Sequence, residues 1–272
     1  MLIEAALAAL FGLLIGSFLN VCIYRLPRDL SVIRPRSYCP KCETPIVWYD
    51  NIPVVSYLRL AGKCRKCGNR ISARYPIVEL LTGAYFFIAT YALGVTGPGI
   101  KACLLGAIVI ALIFSDLEER ILPDEFTVGG ALAGFIIAAF VRMDFGFAQM
   151  FMLQVRNWRI VSVVESVFSA VFCAIALYLV GAAYQRIRHK EGLGFGDVKM
   201  VAMIGAFLGL QGALLTMIVG SVLGSVVGLA YIWITGKDMS SYELPFGSFL
   251  GLAALLVASY LEIFLKYAHA GA

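Results

Sequence analysis

Between residues 3 and 24 the chain reads IEAALAALFGLLIGSFLNVCIY, an apolar run broken by a single charge, Glu4. A run of about 20 such residues, wound as a helix, matches the ~30 Å hydrocarbon core of a bilayer. Seven more apolar segments follow, at 77–96, 100–115, 126–142, 161–184, 198–213, 214–235 and 246–266. Backbone polar groups in lipid must be satisfied within the segment, which leaves helices as the form these runs can take. The pattern predicts an all-α polytopic membrane protein with about eight transmembrane helices. Segments 100–115 and 198–213 are short, as suits helices that line a cavity enclosed by protein. Composition agrees: 61% of the 272 residues are hydrophobic and 14% charged, against about half and a quarter in a soluble domain. The first run lacks a basic n-region and carries Glu4 ahead of its apolar stretch. That favours a retained transmembrane helix over a cleaved signal.

Charge orients the spans. Residues 25–76 carry 11 of the 22 Lys and Arg, from Arg25 to Arg74, so the positive-inside rule places this loop in the cytoplasm and the N-terminus outside. Alternation then puts 116–125, 185–197 and 236–245 inside. The second of these supplies Arg186, Arg188 and Lys190, in agreement, whereas the external segment 143–160 holds Arg156 and Arg159, against the rule. The net charge of +5 is accounted for by topology and anionic lipid, with no nucleic-acid partner required.

Seven cysteines are present. Cys22, Cys103 and Cys173 lie in apolar segments and read as small buried hydrophobes. The other four form C39-P-K-C42 and C64-R-K-C67, two C-x-x-C pairs separated by 21 residues. That spacing places four thiolates around a tetrahedral zinc, each pair making one knuckle, with Gly68 suited to the tight turn after Cys67. Four thiolates leave no open position for water, so the zinc is structural. The loop has little apolar material of its own, and a metal clip supplies the folding energy that so small a core lacks.

Acidic residues are scarce, so their positions are informative. FSDLEERILPDEF, 114–126, and GLGFGDVK, 192–199, place Asp116 and Asp197 where apolar runs meet the inner boundary. Glu118, Glu119 and Glu125 read as a solvated loop, and Asp124 as a residue that caps or charges a helix N-terminus. Two carboxylates at one depth can share a proton, one staying a base while the other acts as acid, as in aspartic proteases. On residue types alone, Asp116 and Asp124 compete as the partner of Asp197. Gly194 and Gly196, with Gly192, offer close backbone access to an extended peptide and backbone angles that other residues resist. With only His189 and His269 present, a histidine triad or histidine zinc site is disfavoured. There is no Walker sequence, and the glycine cluster lacks a dinucleotide-binding context.

The ordered motifs resemble the type IV prepilin peptidases, bifunctional leader peptidases and N-methyltransferases of pilus and type II secretion systems. They are GSFLNVCIYRLP at 16–27, RPRSYCPKC at 34–42, the C-x-x-C at 64–67, RYPIVELLTG at 74–83, DLEERILPD at 116–124, GFGDVKM at 194–200 and ELPFGSFL at 243–250. The resemblance implies a G-x-G-D aspartyl protease of the bacterial inner (cytoplasmic) membrane with Asp116 and Asp197 as its catalytic pair, which breaks the tie with Asp124. It implies removal of a basic leader from prepilins or pseudopilins after a glycine at the cytoplasmic face. The new N-terminal residue is then methylated with S-adenosylmethionine. It assigns the cysteine loop, 25–76, to the methylation-linked region, and leaves 77–272 as the peptidase part. Glu79, an acidic residue inside an apolar segment, is a candidate for the methyl-donor site; its plainer role is as a partner for Arg74 or Arg25. Glu118 stands where the family often has a second aspartate, and Ser248 where it often has proline; neither is expected to touch the pair. Rival readings are a protease without methylation, a transporter or channel with carboxylates on an ion path, and a zinc-stabilised scaffold.

Overall fold

A computed structural model describes residues 1–143, 146–152, 154–189, 193–235 and 245–270, without the side chains of residues 149, 232, 235 and 262–270. Lys190, Gly192, the segment 236–244 and the His269 side chain lie outside what it describes. The chain is helical as expected. Its helices are α1 (Leu2–Arg25), α2 (Val55–Arg59), α3 (Arg74–Leu93), α4 (Gly97–Glu119), α5 (Asp124–Ala138), α6 (Phe147–Phe151), α7 (Trp158–Arg188), α8 (Phe195–Thr235) and α9 (Phe246–Ala270). Among the described residues, β pairing is confined to two isolated bridges in the cysteine loop, Tyr38 with Pro45 and Lys63 with Arg70. Packing divides the chain into two compact units, Met1–Phe114 and Ser115–Ala272.

In the first unit α1 packs along α3. The large apolar residues of α1, among them Leu7, Phe11, Leu14 and Phe18, face outward, while Ala5, Gly12, Gly16 and Leu19 are buried. That inversion suits a solvent of lipid tails, where association rests on close backbone approach more than on burial of large side chains. A Cβ on Gly12 would lie 2.9 Å from the Gly83 Cα, and one on Gly16 2.7 Å from the Glu79 Cα. The G-x-x-x-G spacing thus sets the α1–α3 contact.

The second unit is built around α8. Its residues Met200, Met203, Ile204 and Phe207 are fully buried, between small-residue stripes on α5 (Thr127, Gly130, Gly134, Ala138) and α7 (Ser162, Ser166, Ser169, Ala170). A Cβ on Gly134 would come within 2.8 Å of Ala206, and one on Gly205 within 2.9 Å of the Ser169 backbone. The Ser166 hydroxyl donates to the Ala206 carbonyl at 2.7 Å.

Among the described residues, five helical stretches are long and apolar enough to cross a membrane: Leu2–Arg28, Arg74–Leu93, Gly97–Glu119, Trp158–Arg188 and Phe195–Tyr231. Phe246–Leu261 is a shorter apolar helix, and α5 has 15 residues. The count of about eight spans is therefore not established. The runs expected to part between 213 and 214 are joined in α8 and part instead at Gly209, which is non-helical at φ 70° and ψ −177°. Gly94 takes φ 74° and ψ −177° where α3 ends. A straight helix of 41 residues would be about 60 Å long, twice the hydrocarbon core. Beyond Gly209, Gly212 approaches Leu261, Gly220 approaches Leu250 and Gly224 approaches Phe249. The second arm of α8 thus runs antiparallel to α9 and returns to the end of α9 from which the chain started. α8 is a helical hairpin with its corner at Gly209.

Glu165 of α7 holds that corner. It is buried, and its Oε1 accepts from the Leu210 N–H at 3.0 Å and the Ser169 hydroxyl at 2.9 Å. Its Oε2 accepts from the Ala148 N–H of α6 at 2.7 Å. Two helix starts, whose N–H groups have no partner within their own helices, are satisfied by one carboxylate.

Candidate active site and metal centre

Asp116 lies in the last turn of α4 and Asp197 in the first turn of α8's first arm. Both are buried, 6% and 9% exposed, and the charge of Asp116 acts on Asp197. Asp116 Oδ2 accepts two hydrogen bonds from Ser248, from its N–H at 2.6 Å and its hydroxyl at 2.8 Å. Ser248 sits in the first turn of α9, so the α4 carboxylate satisfies the start of α9. A Cβ on Gly247 would lie 3.1 Å from the Asp116 carboxylate, a tight contact that glycine avoids. The expectation that Ser248 stays clear of the pair is therefore corrected. Sequence alone could not place an α9 residue against a helix end 132 positions earlier.

Asp124 is different. It opens α5, its side chain is 63% exposed, and it pairs with Lys199. It charges the start of α5 without making a side-chain cap. Glu118 and Glu119 lie at the end of α4, and Glu125 in the first turn of α5. They belong to helix ends and not to a loop, because α4 continues four residues past its apolar run. Glu118 and Glu125 are exposed.

Gly194 and Gly196 flank the approach to Asp197. The Gly194 carbonyl accepts from the Asp197 N–H at 3.1 Å, and its own backbone bonds to the Asp197 carboxylate. A Cβ on Gly196 would lie 3.2 Å from the Leu122 side chain. Neither takes a left-handed φ, so close approach, and not unusual backbone angles, is what requires glycine at 196. Gly194 and Phe195 are exposed and lie beside a buried carboxylate.

The four loop cysteines converge. Their sulfurs all lie within 4.8 Å of one another, with Cys39 to Cys67 at 3.8 Å and Cys42 to Cys64 at 4.0 Å. Tetrahedral Zn–S bonds of ~2.3 Å put sulfurs about 3.8 Å apart, so the group fits a zinc-sized ion. The knuckles repeat each other. Cys39 N–H donates to the Thr44 carbonyl and Glu43 N–H to the Cys39 carbonyl; Cys64 N–H donates to the Asn69 carbonyl and Gly68 N–H to the Cys64 carbonyl. Glu43 and Gly68 both take left-handed φ, 54° and 69°. Hydrogen bonds from Thr44 pull the Cys42 thiol down to about 6, and backbone bonds from Cys67 and Lys66 lower that of Cys64. Both favour the thiolate a metal binds.

Glu79 is buried in α3. Its Oε2 accepts from the Val54 N–H at 2.7 Å, and the Ser17 hydroxyl also bonds it. The expected Arg25 partnership is not made, because that guanidinium donates to the carbonyls of Ser31, Pro35 and Arg36. The Arg74 guanidinium lies over the Tyr75 ring. One turn from Ser17, Asn20 is buried with its Oδ1 unsatisfied while its Nδ2 donates to Tyr75 and Gly16 carbonyls. A carboxylate and an unsatisfied carbonyl oxygen on this polar seam fit a cationic group such as a sulfonium.

Sequence reading passed over Glu165, although it had a signal as a lone acid inside the apolar run 161–184. It noted Ser248 in the ELPFGSFL motif but set it clear of the pair.

The fold and sites define a helical, multi-pass membrane protein with a buried aspartate pair and a tetracysteine loop. Residues 10–93 match the bacterial peptidase A24 N-terminal domain, and residues 103–229 the type IV leader peptidase family. Proteins named prepilin leader peptidase/N-methyltransferase share this sequence. That of Myxococcus xanthus is 39% identical over 83% of this chain and 62% of its own length. That of Neisseria gonorrhoeae is 35% identical over 82% and 80%, and that of Aeromonas salmonicida 32% over 91% and 88%. The chain belongs to the type IV leader peptidase family. No solved structure matches it significantly.

Proposed function

We propose that the protein cleaves the leader from type IV prepilins or pseudopilins and N-methylates the new N-terminus. The observation that carries this is the buried pair Asp116 and Asp197, the charge of the first acting on the second, beside the exposed residues Gly194 and Phe195, in a chain of this family. The substrate's apolar segment lies in the bilayer of the bacterial inner membrane and presents its basic leader, and the bond after its glycine, at the cytoplasmic face. The ionised aspartate takes a proton from water as the water oxygen attacks the scissile carbonyl carbon. The protonated aspartate gives its proton to the carbonyl oxygen. On collapse the C–N bond breaks, the base passes its proton to the leaving amine, and a hydroxyl proton of the tetrahedral intermediate returns to the other aspartate.

The tetracysteine group holds a structural Zn2+ that folds the methylation-linked loop 25–76, and residues 77–272 form the peptidase part. S-adenosylmethionine supplies the methyl group, and Glu79 with Asn20 would hold its cationic end. Gly194 and Gly196 line the substrate's path. Membership of a peptidase family leaves the transporter and scaffold readings without support.

Purified protein is incubated with a prepilin and S-adenosylmethionine, and the products are weighed intact. Loss of the leader with gain of one methyl is expected. Asp116→Asn and Asp197→Asn each abolish cleavage while the protein still inserts and folds. Near-normal cleavage by either variant would refute the pair, and cleavage without methylation would remove the second activity.

A further inference from the structure

The two aspartates are not equivalent in their surroundings. Asp116 Oδ2 receives two donors from Ser248 at the N-terminus of α9, where the helix dipole also favours negative charge. Arg120, at the end of the same helix, adds a positive charge. Asp197 receives one backbone bond, from Gly194, and faces the charge of Asp116. Beyond them Lys199 of α8 and Asp124 of α5 pair with each other. α9 carries no charged residue through Leu261, and Glu165 of α7 is engaged at the Gly209 corner. Donors to a carboxylate favour its ionised form and also fix its rotation.

Building on the peptidase reading, we propose that Ser248 is a positioning residue for that reaction: its N–H and hydroxyl hold Asp116 as the ionised, water-activating member of the pair and leave the shared proton on Asp197. The assignment gives the pair fixed roles. Asp116 takes the proton from water; Asp197 donates to the carbonyl oxygen. Ser248 itself touches neither water nor substrate.

The test is the pH dependence of kcat for leader removal by the full-length protein in detergent, with a prepilin substrate. Ser248→Ala removes the hydroxyl donor and keeps the N–H. It is expected to lower kcat about tenfold with KM little changed. It also moves the acid limb of the profile to higher pH, because the carboxylate loses a bond to its charged form. Ser248→Thr retains both donors and should restore rate and limb. Ser259→Ala, which removes a hydroxyl bonded to the Leu255 carbonyl within α9, should change neither.

An unmoved acid limb in Ser248→Ala, or a change confined to KM, overturns the proposal. Ser248→Ala and Ser248→Thr together decide it. If the unsubstituted protein removes no leader, the peptidase reading falls and this assignment with it. Cleavage by the unsubstituted protein with an unchanged Ser248→Ala profile removes this assignment alone.

Discussion

Removing the Glu165 carboxylate should unravel the centre of the second unit. In Glu165→Ala the Ala148 and Leu210 N–H groups lose their acceptor. An orphaned buried donor costs about 1–3 kcal/mol, so the pair costs about 2–6 kcal/mol, before the cavity beside Gly146 and Gly209 is counted. Glu165→Gln keeps the volume and one acceptor oxygen but exchanges charge-assisted bonds for neutral ones of roughly half the strength. It should fall between the wild type and the alanine variant. The measurement is reversible unfolding in mixed micelles titrated with SDS, followed by helical circular dichroism. Because the first arm of α8 carries Asp197, leader cleavage should be lost before global unfolding, and protease should nick the chain near 209. An alanine variant within about 1 kcal/mol of wild type, uncut at the corner, would refute the reasoning. The Leu210 and Ala148 N–H groups would then have found other partners, and the corner would not depend on α7.

Three further outcomes follow from single contacts. Gly209→Ala places a Cβ at φ 70° and 3.3 Å from Glu165. It should cost about 1–3 kcal/mol in the same titration, whereas Gly129→Ala, whose Cβ would meet nothing within 4 Å, should cost nothing measurable. Stripping metal with a chelator should release one zinc per chain by elemental analysis and expose the loop to protease, with methylation lost before cleavage. Asp50 is held below the usual carboxylate range first by its hydrogen bonds to Arg65 and then by those to Arg59. A depressed folded value means that this stabilisation is complete above the ordinary value of 3.8 and is lost as pH falls through the lower, folded one. Protease resistance of the wild-type loop should thus drop below pH 3.8, and Asp50→Asn should be weakened already at neutral pH.

Apolar runs were enough to place the helices because, in lipid, helix formation is imposed on the backbone. They were not enough to place the corner of α8. Gly205, Gly209 and Gly212 all punctuate the run 198–235, and the one that bends is the one whose following N–H meets Glu165, 45 residues earlier. Asp116 and Asp197 were legible because charge is costly in an apolar chain, and Glu165 was legible by that same rule. The cysteine spacing carried its geometry locally, in two knuckles whose hydrogen bonds close within six residues. Ser248 carried nothing local. A serine in the first turn of a helix is ordinary, and only the fold brings it to Asp116.

Among the described residues, the buried carboxylates share one habit: each accepts main-chain N–H groups at or beside the start of a helix. Glu79 takes Val54 ahead of α2, Glu165 takes Ala148 and Leu210, Asp116 takes Ser248, and Asp197 bonds the Gly194 backbone ahead of α8. Helix starts inside a membrane protein need acceptors that water cannot supply, and a short acid meets that need. Capping therefore does not separate a catalytic acid from a structural one. Glu165 has three donors across its two oxygens, which describes a group that is fully engaged. Asp116 and Asp197 cap helices, and the charge of Asp116 also acts on Asp197, beside the exposed residues Gly194 and Phe195. It is that juxtaposition, and not burial or capping, on which their proposed role as the reactive pair rests.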